Sequence, residues 1–423
     1  MQDRFGNSLN TNSGARDAYV GGGDLFLAGR FGAVEAFEDA VQHDPGFALG
    51  FAGLARARMM SGDMAGAQAA LATAQGFDSC ARAQSQIAVL ALLLGGQAAA
   101  ARAAVFAHVA EYPRDAMVAQ ICTNVFGLIG FSGAPGREAA LLAYTAQLLA
   151  HYGDDWWMMS MHALSLCETG QTEAAITLME RSLAMEPDNA NGAHFKSHAQ
   201  YEAGETRAGL AYLDGWMEGY DARSVLHGHL SWHQALWALQ AGDTARMWAV
   251  VDASVGPGAS QGLAINVLTD TASILYRAHL AGEPVDPARW RALSDYARQF
   301  FPDPGLSFAD MHAALAHAMG GAGDALAHII NGARGPVADL VAPVAETWRA
   351  VAAQDWAGAL ERLTPVMGDN ARLGGSRAQR DLLEFAYVNI LLKLNRADEA
   401  HRMLAMRRPV LIGGSVPVAG WAS

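Results

Sequence analysis

The chain has 423 residues, of which 52% are apolar and only 17% charged, and its formal net charge is −13. That composition supports a large buried core and excludes a disordered chain. The negative charge is spread thinly, which argues against nucleic acid or an anionic membrane surface as partner and favours solubility. Cys80, Cys122 and Cys167 lack CxxC spacing, so reduced thiols are expected rather than a disulfide scaffold. MQDRFGNSLN has no signal-peptide pattern, and the longest wholly apolar run, Ile87 to Leu94, is too short to span a bilayer. A cytoplasmic protein is expected.

Strand-type alternation is nearly absent, while helix-period blocks alternate with short breakers along the whole chain. Self-similarity recurs at about 34 residues, the tetratricopeptide period. The second helix of each repeat shows it best, as a ladder of small, large and small residues before a proline. AVEAFEDAVQHDP places Ala33, Phe37, Ala40 and Pro45, and AGAQAALATAQGFD places Ala67, Leu71 and Ala74. AAARAAVFAHVAEYP places Ala101, Val105, His108 and Pro113, and EAAITLMERSLAMEP places Ala175, Met179, Ser182 and Pro187. Small residues let two helices approach, the large one fills the groove between them, and proline stops the helix.

Gly62, Gly96, Gly170, Gly204, Gly242, Gly282 and Gly323 fall at the turn after each first helix, where positive φ closes a helix cheaply. Toward the C-terminus the ladder weakens, but DWAGALERLTPVM and RADEAHRMLAMRRP still read as second helices. The expected fold is therefore all-α, a tetratricopeptide-type right-handed superhelical solenoid of about eleven helix hairpins. Residues 1–15 form an N-terminal segment, 16–408 the repeat domain and 409–423 a flexible Gly/Pro/Ser-rich tail. In LGGSRAQRD, Ser376 and Gln379 have the spacing of a capping box.

Several strings resemble the tetratricopeptide repeat protein 38 family. They are SLNTNSGARDAY, AHFKSHAQYEAGETRAGLAYL, HLSWHQALWALQAGD, VLTDTASILYR with a following GEPV, FADMHAALAH and LGGSRAQRD, in the expected order from about residue 8 to residue 395. HxxWHxAL and LGGSxAQRD are the more specific of them. The resemblance implies a cytosolic helical-repeat protein and carries no set of catalytic residues.

In such repeats the first helices line the concave face. Counting each repeat to its turn glycine places His194, His198, Tyr201 and Glu202 inward from one repeat, and His229 and Trp232 from the next, with His233 beside them. Trp157 and Glu168 face inward from the repeat before, with His162 just off the groove. Asp310 and His317 do so two repeats later, with His312 near the edge, and Asp270 opens a first helix near the groove end. Such a face reads as a compact pocket for a small molecule or short protein segment, since the Lys, Arg and Asn clamps of peptide-binding arrays are missing. Self-association is common for such arrays, so a homodimer is a further expectation.

The leading function is binding or scaffolding. The alternative is an enzyme of hydrolase or lyase type, with His198, His233 and Glu202 as general acid–base candidates. No cofactor is expected and no metal ligand is assigned. HFKSH puts two imidazoles one helical turn apart, however, and His229, His233, Glu202 or Asp270 could complete a set for a divalent metal. HxxxH without the Glu of HExxH is a weak signal, and a buried hydrogen-bonded histidine network is the simpler reading. Neither GxSxG nor GxxxxGK[ST] occurs.

Overall fold

The computed structural model describes residues 1–411 and 416–421, and among these the regular elements are helical, apart from one isolated bridge between Gln2 and Ser8. The first three hairpins are α1 (Ser13–Ala28) with α2 (Ala33–His43), α3 (Ala48–Met60) with α4 (Met64–Gln75), and α5 (Ala81–Leu94) with α6 (Ala98–Glu111). The fourth repeat is irregular. Its first helix is cut to α7 (Ala116–Ala119) and a 3-10 turn (Gln120–Cys122), and a glycine-rich loop leads to α8 (Arg137–Tyr152). Within that loop a Cβ on Gly130 would stand 2.0 Å from the Val125 carbonyl oxygen, so the chain folds back too closely for a helix or a side chain.

Hairpins resume with α9 (Trp156–Glu168) and α10 (Thr172–Met185), α11 (Ala190–Glu202) and α12 (Thr206–Met217), and α13 (His227–Gln240) and α14 (Thr244–Val250). A π-helical turn (Val251–Val255) precedes α15 (Ala264–Leu280) and α16 (Pro287–Phe300). The last pairs are α17 (Ser307–Met319) with α18 (Gly323–Gly332), α19 (Ala338–Ala352) with α20 (Trp356–Met367), and α21 (Arg377–Lys393) with α22 (Ala397–Arg407).

The ladder residues do what their sizes dictate. Phe37, Ala40, Ala67, Ala74, Ala101, Val105, Met179 and Ser182 are fully buried, and α2, α6 and α10 end just before Asp44-Pro45, Tyr112-Pro113 and Glu186-Pro187. Positive φ at Gly62, Gly96, Gly170, Gly204, Gly242 and Gly282 reverses the chain between the paired helices. The seventh turn differs from expectation. Gly321 takes the positive φ there, and Gly323 is the first residue of α18. In the last two hairpins Gln354 and Asn395 adopt the same conformation without glycine, which is why the repeat fades from view in that part of the sequence.

By internal contacts the chain divides into two compact units: Met1–Gly130, Glu138–Lys196 and Tyr220–Leu226 form one, and Phe131–Arg137, Ser197–Gly219 and His227–Ser423 the other. In the first, Arg4 bridges Asp24 and Asp155, and Asn191 donates to the Leu27 carbonyl, so the opening hairpin meets the helices around α9 to α11. In the second, α15 packs on α13, α17 and α21, and nearly every residue from Asn266 to Leu280 is buried. Its outer helices are different: α22 buries only Ala400 and Leu404. Part of the expected tail, residues 412–415 and 422–423, lies outside the described residues. Within the rest, the Ala419 amide donates to the Leu280 carbonyl at 2.6 Å and Trp421 stacks on His401.

Candidate site at the histidine cluster

Three helices of the second unit supply its polar centre. The C-terminal half of α11 carries His198, Tyr201 and Glu202, α13 carries His229, Trp232 and His233, and α15 carries Asp270 and Arg277. The i, i+4 spacing puts His229 and His233 on one face of α13, and that face meets His198. The ring of His198 lies 4.6 Å from that of His233 and 6.4 Å from that of His229, and the α13 pair is 5.2 Å apart. Each offers a ring nitrogen within 4.8 Å of the others. Trp232 stacks on His229 at an interplanar angle of 14° and walls the cluster.

Behind the cluster, His229 Nδ1 is 2.7 Å from Asp270 Oδ2. A carboxylate accepts, so Nδ1 of His229 is the donor in this pair. All four groups are buried: His198, His229, His233 and Asp270 are between 0% and 3% exposed. Burial, with some help from the neighbouring His229, lowers His198 to a pKa of about 3. Burial, then His198, His229 and Arg277, holds His233 well below the usual histidine range. Burial also raises Asp270, against the pull of His229.

Most of the other expected residues go to different places. His194 stands one turn before His198 on the same helix and is also buried. Glu202 turns to arginines, with Arg408 at 2.5 Å and Arg377 at 3.1 Å. Tyr201 donates to Asp381 Oδ2 at 2.6 Å, Arg277 pairs with the other oxygen of Asp381, and Arg408 also holds Glu384 at 2.8 Å. This ionic knot takes up Arg277. His312 is fixed by the Phe308 carbonyl at 2.7 Å and lowered to about 4 by burial. Trp157 belongs to the first unit, edge-on to Tyr152 and Phe5. In LGGSRAQRD the capping box of Ser376 and Gln379 is present. Sequence reading missed Arg408 and Glu384 altogether, because nothing local marks them as partners of Glu202. Apart from the half-buried Glu202, the residues expected to line a pocket are buried.

The described residues contain no helix long and apolar enough to cross a membrane. No family model matches the chain. Among solved structures it is similar to yeast Tom70, at 14% identity over 92% of this chain and 82% of that one, with a TM-score of 0.39. It is similar also to the TPR domain of P58(IPK), at 13% identity over 93% and 98% with a TM-score of 0.21. A third similarity is to Naa15/Naa10 bound to HypK-THB, at 14% identity over 93% of this chain and 58% of that one, with a TM-score of 0.24. All three are distant likenesses.

Proposed function

We propose that the chain is a helical-repeat binding protein whose ligand is small and is held at His198, His229 and His233. The observation that carries this reading is the convergence of three imidazoles from two helices, backed by a buried carboxylate. A protein segment would need exposed walls, whereas Trp232 and His233 are 0% exposed. The strings that resemble the tetratricopeptide repeat protein 38 family support the same choice, and we infer membership of that family from them. They contribute His198, Tyr201 and Glu202 (AHFKSHAQYE), His229, Trp232 and His233 (HLSWHQAL), Asp270 and Arg277 (LTDTASILYR), and Arg377 and Asp381 (LGGSRAQRD). Cys80, Cys122 and Cys167 form no disulfide, which fits a reducing compartment.

The test is native mass spectrometry of tag-free protein purified without denaturation. The expected result is a bound mass that is released on unfolding and lost in His198→Gln and His233→Gln. Wild-type protein and both variants all at the bare chain mass would sink the reading. A second reading, hydrolase or lyase chemistry, is favoured by the His229–Asp270 pair. An imidazole oriented by a carboxylate is a competent general base, whereas both carboxylate oxygens of Glu202 are held by arginines.

A further inference from the structure

We propose that His198, His229 and His233 bind one divalent first-row transition-metal ion of the zinc class, with Asp270 as the outer partner that orients His229. This deepens the binding reading above and rests on it. Three features carry the inference. The first is the donor set. Three imidazoles with no thiolate suit Zn²⁺, Co²⁺, Ni²⁺ or Cu²⁺ and poorly suit Mg²⁺ or Ca²⁺, which take oxygen ligands. The second is reach. Ligand nitrogens around a tetrahedral ion at about 2.0–2.1 Å stand roughly 3.4 Å apart. Nitrogens already within 4.8 Å of one another need only small side-chain rotations to reach that spacing.

The third feature is the carboxylate. Asp270 holds Nδ1 of His229, so Nε2 is the ring nitrogen that would serve a metal. That is how a carboxylate, a histidine and a metal are commonly arranged in series. Asp270 is 2% exposed and has an imidazole, not a guanidinium, as its nearest basic partner. A cation beyond that imidazole supplies the missing counter-charge in a low-dielectric interior. Arg277 does not compete for this role, because it is committed to Asp381. Closed coordination by buried side chains is the pattern of a structural or storage site, and a water in the fourth position would make it a Lewis-acid site.

The experiment uses the full, tag-free chain, stripped with chelator and titrated with Zn²⁺ and Co²⁺ against a chromophoric competitor. Expected are one equivalent per chain, visible d–d bands of tetrahedral, nitrogen-ligated Co²⁺, and a rise in Tm with Zn²⁺. His229→Gln and His233→Gln should lower affinity at least 100-fold, and Asp270→Asn by about 10- to 100-fold. His328→Ala, on the exposed surface, should change nothing. Because a buried histidine variant can fail to fold, stoichiometry and spectrum on the wild type, together with Asp270→Asn, carry the test by themselves. Folded wild-type protein that takes up no metal overturns the proposal. So does uptake unchanged in folded Asp270→Asn and His233→Gln, which would mark an adventitious surface site. If no metal binds yet the native adduct is lost in His198→Gln, the metal proposal alone falls. If neither metal nor adduct is found, the binding reading falls with it.

Discussion

Both units bury an aspartate against a histidine, and the two aspartates are opposite in electrostatic character. In the first unit, Asp115 lies 2.6 Å from Arg82 and 3.2 Å from His108, whose Nδ1 meets Ser85 at 2.8 Å. Burial pushes Asp115 up, but the hydrogen bond from His108 and the charge of Arg82 outweigh it and hold the carboxyl below its usual range. In the second unit, Asp270 has His229 and no guanidinium, and burial wins. The same residue types at the same depth thus make a closed ion-pair network in one unit and an under-compensated carboxylate facing imidazoles in the other. A charge fully balanced by its neighbours serves the fold. One that is not balanced marks where a further positive charge is welcome.

The largest expected effect strikes the balanced network. Arg82→Met keeps much of the packing but leaves Asp115 buried without its guanidinium. Chemical denaturation should report a loss of about 3–5 kcal/mol, and a loss under about 1 kcal/mol would erase the contrast between the two aspartates.

Acid should distinguish the units next. His312 and His317, both lowered to about 4, are neutral in the fold. Their contribution is complete above the unfolded histidine value and is lost as pH falls from about 6.5 to 4. Asp310, raised to about 6 by burial, works the other way over the same interval and offsets part of this. The net expectation is a fall of on the order of 1–4 kcal/mol in metal-free protein. Asp115, held below its usual value, keeps its pairing down to lower pH. Hydrogen exchange at pH 5 should therefore show α13 to α17 opening before α5 to α7, and the reverse order would break the comparison.

Within the second unit, Tyr201→Phe removes one donor from Asp381 and leaves Arg277 in place. A loss of about 1.5–3 kcal/mol is expected for a buried bond to a charged acceptor. That value, set beside Asp270, tests whether the ionic knot and the histidine cluster are separate. The smallest effect belongs to Asp270→Asn in metal-free protein. The amide oxygen still accepts from His229 and an under-compensated charge disappears, so thermal unfolding should move by the equivalent of about 1 kcal/mol or less. A loss as large as that of Arg82→Met would show Asp270 to be an ordinary structural ion-pair partner.

The helix pairing was legible in sequence because its causes are local. Ala67 and Ala74 leave room for a neighbouring helix, Gly204 turns the chain at positive φ, and Ser376 with Gln379 caps α21. Where a different residue type does the same job, as Asn395 and Gln354 do at their turns, the repeat becomes hard to see although the hairpin persists. The same helical spacing brought His198, His229 and His233 under suspicion as a group. Glu202, grouped with His198 and His233 as an acid–base candidate, is drawn off by Arg408 from 206 positions away.

What sequence alone determined here is therefore the all-α repeat, its turns, and which histidines share a helix face, since these follow from contacts within a few residues. Which carboxylate stands behind which base was decided only in the tertiary structure. Asp270 reaches His229 across 41 positions, and Asp381 reaches Tyr201 across 180. Helical periodicity sets the direction of a side chain from its own axis. It says nothing of which distant helix will supply the opposite charge, and in a low-dielectric interior that opposite charge settles how a buried group behaves.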